Sequence, residues 1–177
     1  MVRVVMRIAI VPSNVLLLFL RQLDRLEAPT LFARGQETVN SVYGESLIGF
    51  VLDSYGSHKE DFKFTEFFTL YGLYLSDFEV MTPRETEAVV YSSISCLGLG
   101  GPSNWHLRGM GRLLGARGKD DGSEKMQHIL GQLLRLKQAV VSVVEFVGSE
   151  FLVKAKLEKW ANPNSVTRDL GGWEDDI

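Results

Sequence analysis

Apolar residues recur three and four positions apart along most of this chain, the spacing of an amphipathic helix. Leu16, Phe19, Leu23 and Leu26 do so behind Ser13, a plausible cap, which predicts a helix over residues 14–26. Val39, Val42, Tyr43, Leu47, Phe50 and Val51 predict a second over 38–55, stopped by Gly56. Residues 61–75 are dense in aromatics, among them Phe62, Phe67, Phe68, Tyr71 and Tyr74. Thr82 as cap, Pro83 at the first helical position and Glu85 at the third form a capping box, predicting a helix to about Leu97. Gly98, Gly100, Gly101 and Pro102 break it, and Ser103 or Asn104 can cap the next, which ends at Gly115–Gly118. Asp121 with Glu124 can start a long helix carrying Ile129, Leu133, Leu136, Val140, Val143 and Val147. A last helix is expected over 151–160, before a polar tail at 161–177. No alternating strand pattern or hairpin turn interrupts this series. The expectation is an all-α, single-domain bundle of six to eight helices.

Composition narrows the function classes. The chain has 177 residues, 45% apolar and 23% charged, as in an ordinary globular domain. Its 19 basic and 22 acidic side chains leave a net charge of −3, against the basic surface a nucleic-acid binder carries. The single cysteine, Cys96, can form neither an intrachain disulfide nor a cysteine zinc cage. The longest apolar run, residues 15–20, falls far short of the roughly 20 a membrane span needs. Residues 1–30 read either as a first core helix or, from their arginines Arg3, Arg7 and Arg21 with no acid before Leu23, as a mitochondrial presequence. The location expected is cytoplasmic on the first reading and mitochondrial on the second.

The stretch from Met81 to Leu130 carries the candidate chemistry. It reads Met81-Thr82-Pro83-Arg84-Glu85-Thr86-Glu87, then Asn104-Trp105-His106-Leu107-Arg108-Gly109-Met110, then Gly115-Ala116, then Ser123-Glu124-Lys125-Met126. In this order and spacing it resembles the carboxymuconolactone decarboxylase family, which shares its fold with the alkyl-hydroperoxidase D proteins. Upstream, Gly35-Gln36-Glu37-Thr38, Val42-Tyr43-Gly44 and the aromatic stretch are similar to the family's early segments, so the likeness covers roughly residues 32–134. It implies an alkyl-hydroperoxidase D-like domain over 31–160, a trimer or hexamer, a small-molecule substrate and no cofactor or metal. The peroxidase branch places a Cys-x-x-Cys seven and four residues before its histidine. Those positions are Leu99 and Pro102 here, so thiol peroxidase chemistry is not expected. The family's Trp and Arg before the Thr-Pro-Arg-Glu element, and its later Tyr-x-Gly-x-Pro, are missing as well.

Cofactor-free decarboxylation of a carboxylated lactone or related enolisable acid needs a cation to seat the carboxylate, a donor for the charge left behind, and a proton delivered to carbon. His106 can deliver the proton and Glu87, nineteen residues earlier, can orient it. Arg84 or Arg108 can seat the carboxylate, and Trp105 lies beside them as a substrate contact. Each has a plainer reading. His106 at a helix start suits a structural hydrogen bond to a carbonyl, and Glu87, Arg84 and Arg108 suit surface charges. The alternative function is a non-catalytic helical oligomer working by self-association or partner binding. The two readings differ in one feature: an enzyme gathers Glu87, His106 and an arginine around one cavity.

Overall fold

The computed structural model describes residues 27–118, 122–147 and 163–173. Among them it is all-α, a single helical domain. The helices are α1 (Ala28–Tyr43), α2 (Glu45–Asp53), α3 (Lys59–Lys63), a π-helix (Phe64–Leu75), α4 (Pro83–Cys96), α5 (Gly100–Leu113), α6 (Glu124–Val147) and α7 (Pro163–Leu170). The helices expected over 14–26 and 151–160, the cap at Asp121 and most of the 1–30 segment lie outside the described residues. No helix among the described residues is long and apolar enough to cross a membrane.

Two boundaries differ from the periodicity. The helix expected over 38–55 is two helices, because Gly44 sits at φ 79°, a left-handed conformation that favours glycine and ends α1. The helix carrying His106 starts before Ser103, at Gly100, so Ser103 and Asn104 lie inside it and His106 falls in its second turn. The capping box at α4 forms as expected. The Glu85 amide donates to Thr82 Oγ1 at 3.3 Å and the Thr82 amide donates to Glu85 Oε2 at 2.8 Å. These bonds hold the Glu85 carboxyl below its usual range, so Glu85 is occupied as a cap.

Helix α5 is the central element. Residues 106–112 are all buried, because apolar clusters pack on both sides. One cluster joins α1, α2 and the π-helix through Val39, Val42, Ile48, Phe67 and Tyr71. The other joins α4, α6 and α7 through Tyr91, Met126, Ile129, Leu133, Val166 and Trp173. Helix α1 lies along the π-helix where two glycines meet. A Cβ on Gly35 would fall 1.8 Å from the Phe67 carbonyl oxygen and 2.6 Å from the Gly72 nitrogen. Arg34 closes the crossing by donating to the Gly72 carbonyl, one of the last carbonyls of a helix, which lack intrahelical partners.

The polar composition of residues 161–177 hides an anchored segment. Pro163–Leu170 is helical, Val166 and Trp173 are fully buried, and the Trp173 amide donates to the Gly118 carbonyl at 3.1 Å. Two apolar residues in a polar stretch suffice, because a tryptophan alone removes roughly 150–250 Å² from water. Trp173→Ala is expected to cost about 3–5 kcal/mol of stability, read as a lowered midpoint in chemical denaturation. A loss under about 1 kcal/mol would show that the C-terminal segment is not part of the cooperative core.

Candidate functional site

Three helices deliver one hydrogen-bonded line of side chains. In α4, Thr86, Glu87, Tyr91 and Ser95 share the buried face, which carries Glu87 inward four residues after Pro83. In α5, His106 faces α4 and α1 together. His106 Nδ1 lies 2.9 Å from Glu87 Oε1, and Nε2 lies 3.0 Å from the hydroxyl of Tyr43 in the last turn of α1. His106 is 2% exposed and Glu87 3%. An ionised Glu87 accepts the Nδ1 proton. That leaves Nε2 as the lone-pair end of the imidazole, accepting from the Tyr43 hydroxyl. Tyr71, on the π-helix, hydrogen-bonds in turn to Tyr43, with the two rings edge to face at 6.3 Å. Burial pushes both phenols well above the ordinary tyrosine range, so both stay protonated donors.

The line opens on a cavity of about 340 Å³, at the small end of the roughly 300–1,000 Å³ of ligand sites. His106, Tyr43 and Tyr71 line it with Trp105 and Glu66, and aliphatic residues from α2 and α4 complete the wall. Glu66 gets there because of the π-helix. At about 100° per residue an α-helix would put Glu66 and Leu75 on opposite sides. At roughly 4.4 residues per turn a π-helix gathers Glu66, Leu70, Tyr71 and Leu75 onto one face, and all four line the cavity. Burial pushes the Glu66 carboxyl above its usual range, with His106 nearby opposing the shift.

Of the residues read from the sequence, His106, Glu87 and Trp105 meet at this site. Glu87 stands behind the imidazole, and Trp105 stands in the wall 6.4 Å from the Tyr43 ring. The two arginines do not line the cavity. Arg84 is exposed, and its Nε donates to the Leu113 carbonyl at 3.0 Å, satisfying the C-terminal end of α5, where cations are favoured. Arg108 is buried, its Nε donating to the Gly172 carbonyl and its Nη1 to the Tyr43 carbonyl, each at 2.7 Å. It pins the backbone of Tyr43 and the C-terminal segment, and so supports the site from outside it. Tyr43, Tyr71 and Glu66 escaped the sequence reading. A lone acid in an aromatic-rich helix was the available signal for Glu66. Among the described residues no group of three or more His, Cys, Asp or Glu side chains is placed to hold a metal ion.

Comparison of the chain with protein-family models, with curated proteins and with solved structures finds no match. The chemistry therefore rests on the site's own geometry.

Gly109 sets how closely α5 approaches Glu87. A Cβ there would fall 2.5 Å from Val42 Cγ1 and 2.9 Å from Glu87 Oε1. Gly109→Ala is expected to destabilise by about 1–3 kcal/mol and to shift the His106 ring resonances in NMR spectra. Gly101→Ala is the control, since its nearest contact would be 3.9 Å. It should be neutral, or stabilising by about 0.5–1 kcal/mol, because alanine is the better helix former. Equal effects from the two substitutions would remove Gly109 from its positioning role.

Proposed function

We propose that this protein is a cofactor-independent enzyme of the lyase or isomerase class that moves a proton to or from carbon in a small enolisable substrate. The observation that carries the reading is the buried Glu87–His106–Tyr43 line ending at a ligand-sized cavity. Glu87 orients the imidazole and stabilises it when charged. His106 is the acid or base, since it lines the cavity and imidazole can both take up and give a proton. When Nε2 is protonated it donates to the Tyr43 oxygen, which turns the Tyr43 hydroxyl toward the cavity. Tyr43, held by the Tyr71 hydroxyl that donates to it, then offers a neutral donor to an enolate oxygen, the site of developing charge.

Decarboxylation of a carboxylated lactone is the version that the family resemblance implies. It also needs a cation beside the departing carboxylate, and neither Arg84 nor Arg108 lines the cavity. The broader proton-transfer reading asks nothing of those arginines, and is preferred for that reason.

His106→Ala is expected to lower turnover by about 10²–10⁴-fold with helical content unchanged. Glu87→Gln should cost less, because it orients and does not transfer, and Tyr43→Phe should lower kcat more than it raises KM. Turnover on a panel of lactones, ketones and enolisable acids, with circular dichroism as control, makes the test. Wild-type turnover by His106→Ala would sink the mechanism, and unfolding of that variant would assign the histidine a structural role.

Self-association is a second reading, compatible with the first. Phe146, 91% exposed, and Val143 leave an apolar edge on α6, and large exposed apolar surfaces mark interfaces. A trimer or hexamer is expected by light scattering at micromolar concentration, and a stable monomer would overturn this.

A further inference from the structure

The charge of the substrate can be read from the cavity wall, taking that wall, as above, to be a substrate site. Five aromatic side chains line it: Tyr43, Tyr55, Phe62, Tyr71 and Trp105. No lysine or arginine is among the described residues that do so. The acid on the wall is Glu66, and a second carboxylate, Glu87, stands one imidazole ring behind it. An anionic ligand here would leave water for a largely apolar wall, find no lysine or arginine on it and only a histidine already hydrogen-bonded to Glu87, and face two carboxyl groups. An uncharged ring compound would exchange water for aromatic and aliphatic surface, with a few polar groups to orient it.

We propose that the cavity takes an uncharged ring compound bearing a carbonyl or hydroxyl group and turns carboxylates away, and that Glu66 is the residue that sets this choice. The Glu66 carboxyl oxygens accept from a hydroxyl on a neutral ring, the Tyr43 phenol can donate to its carbonyl, and a bound carboxylate would be repelled by Glu66. The π-helix is what makes this selection available, because it turns Glu66 onto the cavity face beside Tyr71.

Two probes of the same shape and different charge test the proposal: phenylacetamide and phenylacetate. Binding to the full chain is read at neutral pH by calorimetry and by tryptophan fluorescence, to which Trp105 in the cavity wall contributes, with no need of turnover. The amide is expected to bind on the order of tenfold or more tightly than the carboxylate, since like-charge contacts are strongly unfavourable. Glu66→Gln, with Glu66→Leu as a second variant should the first fail to fold, should narrow that ratio to about threefold or less by strengthening phenylacetate. Equal affinity of the two probes for the wild-type chain, or a ratio unmoved by both variants, would overturn the proposal. Failure of both probes to bind at millimolar concentration would overturn it too. Binding is read without turnover, so the ratio of the two probes reports on Glu66 and turnover reports separately on the proton-transfer reading.

Discussion

A glutamate and a histidine, each almost fully buried and joined at 2.9 Å, set the constraint on which this structure depends. A buried carboxylate without a partner costs several kcal/mol, and a buried imidazole N–H without an acceptor is costly too. Each therefore requires the other, and α4 and α5 must lie at the separation that satisfies both. Tyr43 extends the requirement to α1, and Arg108 extends it to the C-terminal segment through the Tyr43 and Gly172 carbonyls. Gly109 permits the approach, because any side chain there would occupy the space of Val42 and Glu87. Apolar packing of the two clusters supplies most of the stability, but its driving force is non-directional. The polar line is directional, since hydrogen bonds weaken steeply with distance and angle.

The π-helix is the second device. Over Phe64–Leu75 it departs from the α-helical repeat, and such departures often occur at functional sites. Its physical effect here is a rotation. Residues that an α-helix would scatter around its surface come to one wall, and the acid among them comes with them. The crossing at Gly35 and Gly72 and the Arg34 bond to the Gly72 carbonyl hold that geometry from behind.

Cations and anions are separated by the fold. Arg84 and Arg117 both donate to carbonyls at the end of α5, Arg117 Nη1 to those of Arg112 and Ala116. Helix ends attract cations, since their last carbonyls lack partners and the dipole is negative there. Arginines close to the histidine in sequence are consequently drawn to backbone duties. The cavity wall keeps the acid Glu66 and the phenols of Tyr43 and Tyr71 around the His106 ring.

The all-α class and the α4 capping box were legible from residue order alone, and the pairing of Glu87 with His106 was legible through the spacing of the family that the chain resembles. Each rests on local spacing or on one motif separation, and such features survive whatever the rest of the chain does. The break at Gly44 and the early start of α5 at Gly100 were less legible, because a glycine permits several conformations and the neighbours choose among them. Trp173 was hidden in a polar stretch, since burial of a single large ring leaves no periodic mark. Tyr43, Tyr71 and Glu66 could not be assigned to the site from sequence, because their convergence depends on a helix crossing and on the π-helical repeat. Tertiary structure also decided the arginines. Spacing along the chain places Arg84 and Arg108 near the histidine, and only the packing of helix ends determines which carbonyls claim them.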